Sequence, residues 1–307
     1  MKPYALFLSA PVVDRPWGGS RLAAQYGFEG YERTAEAWVV STHPDGMCTV
    51  KNGPLAGKPL DEAWAALGQE ELPVLVKLID AAEALSVQVH PDDAYAARVE
   101  GDIGKTEMWY VVDAEPDTRI LYGFDRAVDR AEFAARIADG TLLDVCNRVP
   151  ASVGDAFFIE AGTLHAIGAG ALIAEVQQNS NLTYRVFDYG RPRELHVDKA
   201  LDVTVTAPPV HPYGNVGETV ACQGGTVRPL AACGLFTVEL RRAEKAMEMG
   251  ADGSFAALLL LDGEAAVTAD GETVHMTKGQ SVLLPEGVKA CVTGGTWLYT
   301  EKGRDEC

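Results

Sequence analysis

Gln88, His90, Glu107 and His165 are the residues of this chain whose types and spacing could do chemistry. Gln88 and His90 stand two positions apart in the run Ser86-Val87-Gln88-Val89-His90. Side chains two apart in a strand project from the same face, so the amide and the imidazole point together. Glu107 opens the run Glu107-Met108-Trp109-Tyr110-Val111-Val112, and His165 closes Gly162-Thr163-Leu164-His165. Laid side by side, these runs bring one amide, two imidazoles and one carboxylate to a single point. Imidazole with carboxylate oxygen suits zinc or another divalent first-row metal. The expectation is a metal inside a β-barrel. A lone inward histidine is usually a hydrogen-bonded core residue, and His43, His196, His211 and His275 are read that way. His90 and His165 differ because an amide and a carboxylate accompany them.

The elements that must position these donors are mostly strands. Residues 1–20 carry Pro3, Pro11 and Pro16 and read as irregular or edge-strand material. Alternating or apolar runs predict strands near 35–41, 72–80, 84–90, 107–113, 119–122, 156–159, 173–178 and 182–186. Short helices are expected at 20–26, 61–67, 91–99, 130–138, 142–146 and 196–201, with Asp129 capping the fourth and Gly140 ending it. Asp92 and Asp93 read as helix-capping and solvated. The stretch Pro208-Pro209-Val210-His211-Pro212 reads as a linker. Strands resume beyond it at 236–241, 255–261, 265–269, 281–284 and 296–300, with hairpin turns at Asp262-Gly263 and Asp270-Gly271. Strands joined by short turns predict an all-β architecture rather than alternating βαβ units. The expected division is a metal-binding domain over 1–207 and a smaller β domain over 208–307.

Composition sets outer limits. The 307 residues give ample core for one or two domains, and 47% of them are hydrophobic. The mean hydropathy is −0.01. The formal charge of −18 argues against nucleic acid or an anionic membrane surface as the main partner. A small anionic substrate is still admissible, because it needs only a local basic patch. There is no run of 18 apolar residues and no basic segment leading into an apolar one at the N-terminus, so the expected location is cytoplasmic. The six cysteines are scattered without a C-x-x-C pair and read as reduced, mostly buried thiols, with Cys307 exposed.

Two family resemblances sharpen this. Gly154-x5-Glu160-x-Gly162-x2-His165 resembles the second cupin motif, with Glu160 in place of its proline. Gln88-x-His90 followed by Glu107 resembles the first motif, with glutamine in place of its first histidine. The cupin resemblance implies a double-sheet jelly roll in which Gln88, His90, Glu107 and His165 are the ligands. Gly279-x5-Pro285-x-Gly287-x2-Ala290 repeats the skeleton with alanine where the histidine would stand, so a second barrel without metal ligands is expected. Further segments run in order: Trp17-Gly18-Gly19, Glu36-Ala37-Trp38, Leu72-Pro73-x3-Lys77, Leu85 to Pro91, Gly104-Lys105-Thr106-Glu107-x-Trp109-Tyr110, Gly162 to Gly168, and Glu175-x-Gln177-Gln178-Asn179-Ser180-Asn181-Leu182-Thr183-Tyr184-Arg185. Together they resemble the type I mannose-6-phosphate isomerases in their short bacterial form. Only 57 residues lie between Glu107 and His165, too few for the helical insert of the family's larger members.

That resemblance implies one zinc ion and reversible conversion of mannose 6-phosphate to fructose 6-phosphate through an enediol(ate). It implies Arg185 as a fixed cation near the reacting oxygens, and Lys77 and Lys105 as candidates for proton transfer. Ser86, Trp17, Glu36 and Asn179 are the expected substrate contacts, and Lys77, Ser86 and Arg185 are the candidates to grip the phosphate. The expected assembly is a monomer or weak homodimer. Two other readings keep the fold: another metal cupin enzyme such as a dioxygenase, or a non-catalytic sugar-phosphate sensor. An oxygenase acting on a neutral substrate would not need Arg185, Lys77 and Lys105, and a sensor would be marked by loss of one of them; all three are present.

Overall fold

The computed structural model describes residues 1–303, so Cys307 lies outside the described residues. The chain forms two compact units. One consists of Arg15–Ser20 and Ile79–Asn215; the other consists of Met1–Asp14, Arg21–Leu78 and the chain from Val216 onward. No helix among the described residues is long and apolar enough to cross a membrane.

The unit that carries the donors is built on strands β1 (Val87–Val89), β2 (Glu107–Ala114), β3 (Arg119–Phe124), β4 (Cys146–Pro150), β5 (Ala156–Ile159), β6 (His165–Ile167), β7 (Ala171–Gln178) and β8 (Tyr184–Phe187). One sheet runs β8-β1-β6-β3-β4, and β5-β2-β7 run together in another; all these pairings are antiparallel. Register aligns one row of side chains across the first sheet. Arg185 lies opposite Gln88, Gln88 opposite His165, and His165 opposite Tyr122. Directly opposed residues share a face, so this row looks inward. The alternate residues Val87, Val89, Leu121, Ala166 and Val186 face outward. They are covered by Phe133 of α1 (Arg130–Ala138) and Ala200 of α2 (Val197–Val203). The short helices therefore roof the barrel wall. As expected, Asp129 caps α1, accepting from the Glu132 amide. β4 escaped the sequence reading because Cys146-Asn147-Arg148-Val149-Pro150 does not alternate and ends in proline. It is an edge strand, where proline is tolerated.

Gly168, just beyond β6, packs against the β3 backbone. A Cβ there would lie 2.0 Å from the Arg119 carbonyl oxygen. Backbone cannot give way as a side chain can, so Gly168→Ala should cost about 1–3 kcal/mol, measurable as a lower urea midpoint.

The other unit contains a barrel of its own. Its larger sheet orders the strands Val220–Cys222, Gly225–Ala232, Phe236–Ala243, Thr296–Lys302, Ala256–Asp262, Ser281–Leu284, Leu6–Ser9 and Thr49–Val50. A second sheet orders Met247–Met249, Ala290–Thr293, Glu264–Ala269 and Glu272–Thr277. Between them lies an apolar core that includes Leu258, Val267, Val282, Val292 and Trp297. Ala290 is part of that core, where the motif would have placed a ligand. The expected boundary at 207/208 thus needs correction. Leu6 and Phe7 pair with Leu283 and Val282, so the first strand of the chain completes the C-terminal barrel. Residues 21–78 cluster there too.

Cys48 and Cys146 are buried free thiols, and burial pushes both up to about 12. They are protonated core atoms at neutral pH, but Cys222 and Cys291 are exposed and Cys233 is half-buried, so the expectation of mostly buried thiols does not hold among the described residues.

Candidate metal centre

The cross-strand row brings His165 beside Gln88, and Glu107 enters from the facing sheet at the start of β2. His90 follows β1 directly. The ligand atoms of His90, Glu107 and His165 all lie within 4.8 Å of one another. His90 Nε2 is 3.5 Å from Glu107 Oε2, and His165 Nε2 is 3.4 Å from Glu107 Oε1. The Gln88 amide reaches to 3.4 Å from His165 Nε2. Groups bound at about 2.0–2.1 Å around a tetrahedral ion stand about 3.3–3.4 Å apart. The separations of 3.4–3.5 Å match that spacing, while the donor set as a whole spans up to 4.8 Å.

The tautomers fit as well. His90 Nδ1–H donates to the Leu182 carbonyl at 2.7 Å, and His165 Nδ1–H donates to the Thr163 carbonyl at 2.8 Å. Each Nδ1 is thus anchored on a backbone carbonyl with Nε2 turned toward Glu107, the arrangement that metal-binding histidines adopt. Burial holds His165 down at about 4, so it is neutral at physiological pH. Both Glu107 oxygens are buried and make no hydrogen bond. Gln88 currently turns its amide nitrogen to His165 and accepts from Ser86 Oγ at 3.1 Å. A half-turn of the amide aims its oxygen at the centre while Ser86 Oγ accepts in its place. The residues present fit a zinc-type ion: two neutral imidazoles, one carboxylate and one amide oxygen.

The other expected site residues fall into two groups. Lys105 is at the centre: its buried Nζ lies 3.1 Å from Glu107 Oε2. Arg185 shares the inward face with Gln88, and its Nε is buried without a hydrogen bond. Burial lowers the guanidinium from its ordinary value, with Arg193 adding to the effect. Asp188, a conceivable partner for it, is instead gripped by Arg191 and by both ends of the Arg193 fork. Ser86 touches Gln88, as described. Asn179 is half-buried immediately after β7. Trp17 is buried in a segment bridged to Ala81, and its carbonyl accepts from the Glu83 amide.

Lys77 and Glu36 belong to the other unit and meet one another there. Lys77 Nζ is 3.8 Å from Glu36 Oε2 and 4.5 Å above the Trp38 ring, whose indole N–H donates to the same carboxylate at 2.7 Å. Lys77 is buried rather than reaching to solvent.

Sequence reasoning missed two contacts. Asp92 and Asp93 both read as helix-capping and solvated; Asp92 is the cap, whereas Asp93 is engaged elsewhere. Asp93 accepts from the Gly104 amide at 2.8 Å and from Gln178 Nε2 at 2.9 Å, tying down the loop that bears Lys105. Trp109 lies against the His165 ring, with centroids 5.3 Å apart. The spacing Glu107-x-Trp109 on one strand was the available signal.

A two-sheet jelly roll with two histidines and a carboxylate converging inside defines a cupin barrel with a metal-type donor set. Comparison with known proteins is narrower. A model of the phosphomannose isomerase type I catalytic domain matches residues 6–116, and one of the mannose-6-phosphate isomerase cupin domain matches residues 229–297. A mannose-6-phosphate isomerase of Streptococcus mutans serotype c is 35% identical over 316 residues, covering 98% of this chain and 99% of that protein. The mannose-6-phosphate isomerase ManA of Bacillus subtilis is 34% identical over 92% of this chain and 93% of its own. The crystal structure of a mannose 6-phosphate isomerase from Bacillus subtilis superposes with a TM-score of 0.90 at 34% identity, covering 97% of this chain and 99% of that one. The chain belongs to the type I mannose-6-phosphate isomerase family.

Proposed function

We propose that this chain interconverts mannose 6-phosphate and fructose 6-phosphate through the sugar's enediol(ate), with zinc held by Gln88, His90, Glu107 and His165. The observation that carries this reading is the buried His90–Glu107–His165 cluster, in a chain aligned end to end with isomerases of that name. Zinc bound there supplies Lewis acidity that polarises the sugar carbonyl and offsets oxyanion charge. The protein's own residues do the rest. Arg185 presents a guanidinium from the row beside Gln88. It is a fixed, two-pronged donor for the substrate's oxygens or its phosphate. Lys105, buried beside Glu107, is the leading candidate to carry the proton between C1 and C2. An exchange between neighbouring carbons needs a group that can take and return a proton at short range. Lys77 is the other lysine candidate. Ser86 holds the Gln88 amide and is a candidate contact for a substrate oxygen; Asn179 completes the expected contacts.

Turnover of mannose 6-phosphate by purified protein tests the proposal. Activity should vanish on chelation and return with zinc. A folded, zinc-loaded protein that leaves mannose 6-phosphate unchanged would overturn it.

A further inference from the structure

We infer that Trp109 is a positioning residue for the metal site: pinned by Glu175, its indole sets the tilt of the His165 imidazole and thereby the affinity for the ion. This rests on the reading that the donor cluster holds a metal. The hydrogen bond from His165 Nδ1 to the Thr163 carbonyl fixes a pivot for the ring but leaves rotation about that bond open. The Trp109 ring stands 5.3 Å from it with planes at 79°. Such edge-on packing is directional, because the positive edge of one ring meets the negative face of the other. The indole is fixed in turn. Trp109 Nε1–H donates to Glu175 Oε2 at 2.8 Å, and Glu175 lies directly opposite Trp109 in the β2–β7 register. Trp109, Glu175 and His165 are all buried, so no water substitutes for this brace.

Glu107 sits two residues before Trp109 on the same face of β2. One strand therefore carries the carboxylate ligand and the ring that orients an imidazole ligand, so the two are placed together. Partners that orient metal ligands typically contribute 10- to 100-fold to metal affinity. Trp109→Phe keeps an aromatic ring but loses the N–H that anchors it.

The experiment is zinc affinity by chelator competition, with the visible spectrum of the cobalt(II)-loaded protein as a report on coordination geometry. Trp109→Phe should bind zinc about tenfold or more weakly and shift the cobalt bands. Glu175→Ala, which frees the indole without removing it, should move both in the same direction and serves if the first variant does not fold. A merely structural role would lower the melting temperature of the metal-free protein and leave the cobalt spectrum unchanged. Either folded variant with wild-type zinc affinity and cobalt spectrum overturns the inference. Wild-type protein that takes up no zinc overturns the metal reading, and this inference with it.

Discussion

Arg185→Ala should keep zinc and fold while losing about 100- to 1,000-fold in turnover, the usual loss when one preorganised charge or donor at a reacting oxygen is removed. The geometry separates the two effects. Arg185 is no ligand; it stands beside Gln88 in the inward row. Asp188, the acid nearest in sequence, is occupied by Arg191 and Arg193. The guanidinium is therefore held in a partly buried place with its Nε unbonded, a costly arrangement for the fold alone. Removing it relieves that cost, so stability should change little. Arg185→Lys keeps the charge without the fork and should recover only part of the rate. Steady-state rates with zinc content measured on the same samples decide the matter. Near-normal turnover in Arg185→Ala would remove Arg185 from the mechanism.

Glu107→Gln should have the second large effect, this time on the metal and on the fold together. The substitution preserves shape but removes the only carboxylate among the four donors. Zinc affinity should fall by more than the 10- to 100-fold typical of outer partners. It also takes the opposing charge from Lys105, whose side chain is 5% exposed and 3.1 Å from Glu107. Breaking one side of a buried pair costs about 3–5 kcal/mol. Denaturation in chelator should register that loss in the metal-free protein, and chelator competition the loss of zinc. A variant that binds zinc as the wild type does would exclude Glu107 as a ligand.

The convergence of His90, Glu107 and His165 was partly legible because each stands at the edge of a strand-like run. His90 follows the strand that bears Gln88, and Glu107 and His165 begin strands of two facing sheets. What the sequence could not show is which strands meet. Leu6–Ser9 looks like loose N-terminal material, yet it hydrogen-bonds to Ser281–Leu284, more than 270 residues away. Long-range pairing leaves no mark in local periodicity. The same limit hid Asp93, whose bond to Gln178 spans 85 positions. Lys105 and Lys77 looked alike as lysines inside matching segments. Their partners separate them: Glu107 of the donor cluster for one, Glu36 and Trp38 for the other.

The most direct measurement of the donor set is X-ray absorption at the zinc edge of the wild-type protein. The account predicts one zinc surrounded only by nitrogen and oxygen at about 2.0–2.1 Å, with outer-shell scattering from two imidazole rings. A sulfur neighbour near 2.3 Å, fewer than two imidazoles, or no zinc uptake at all would contradict it.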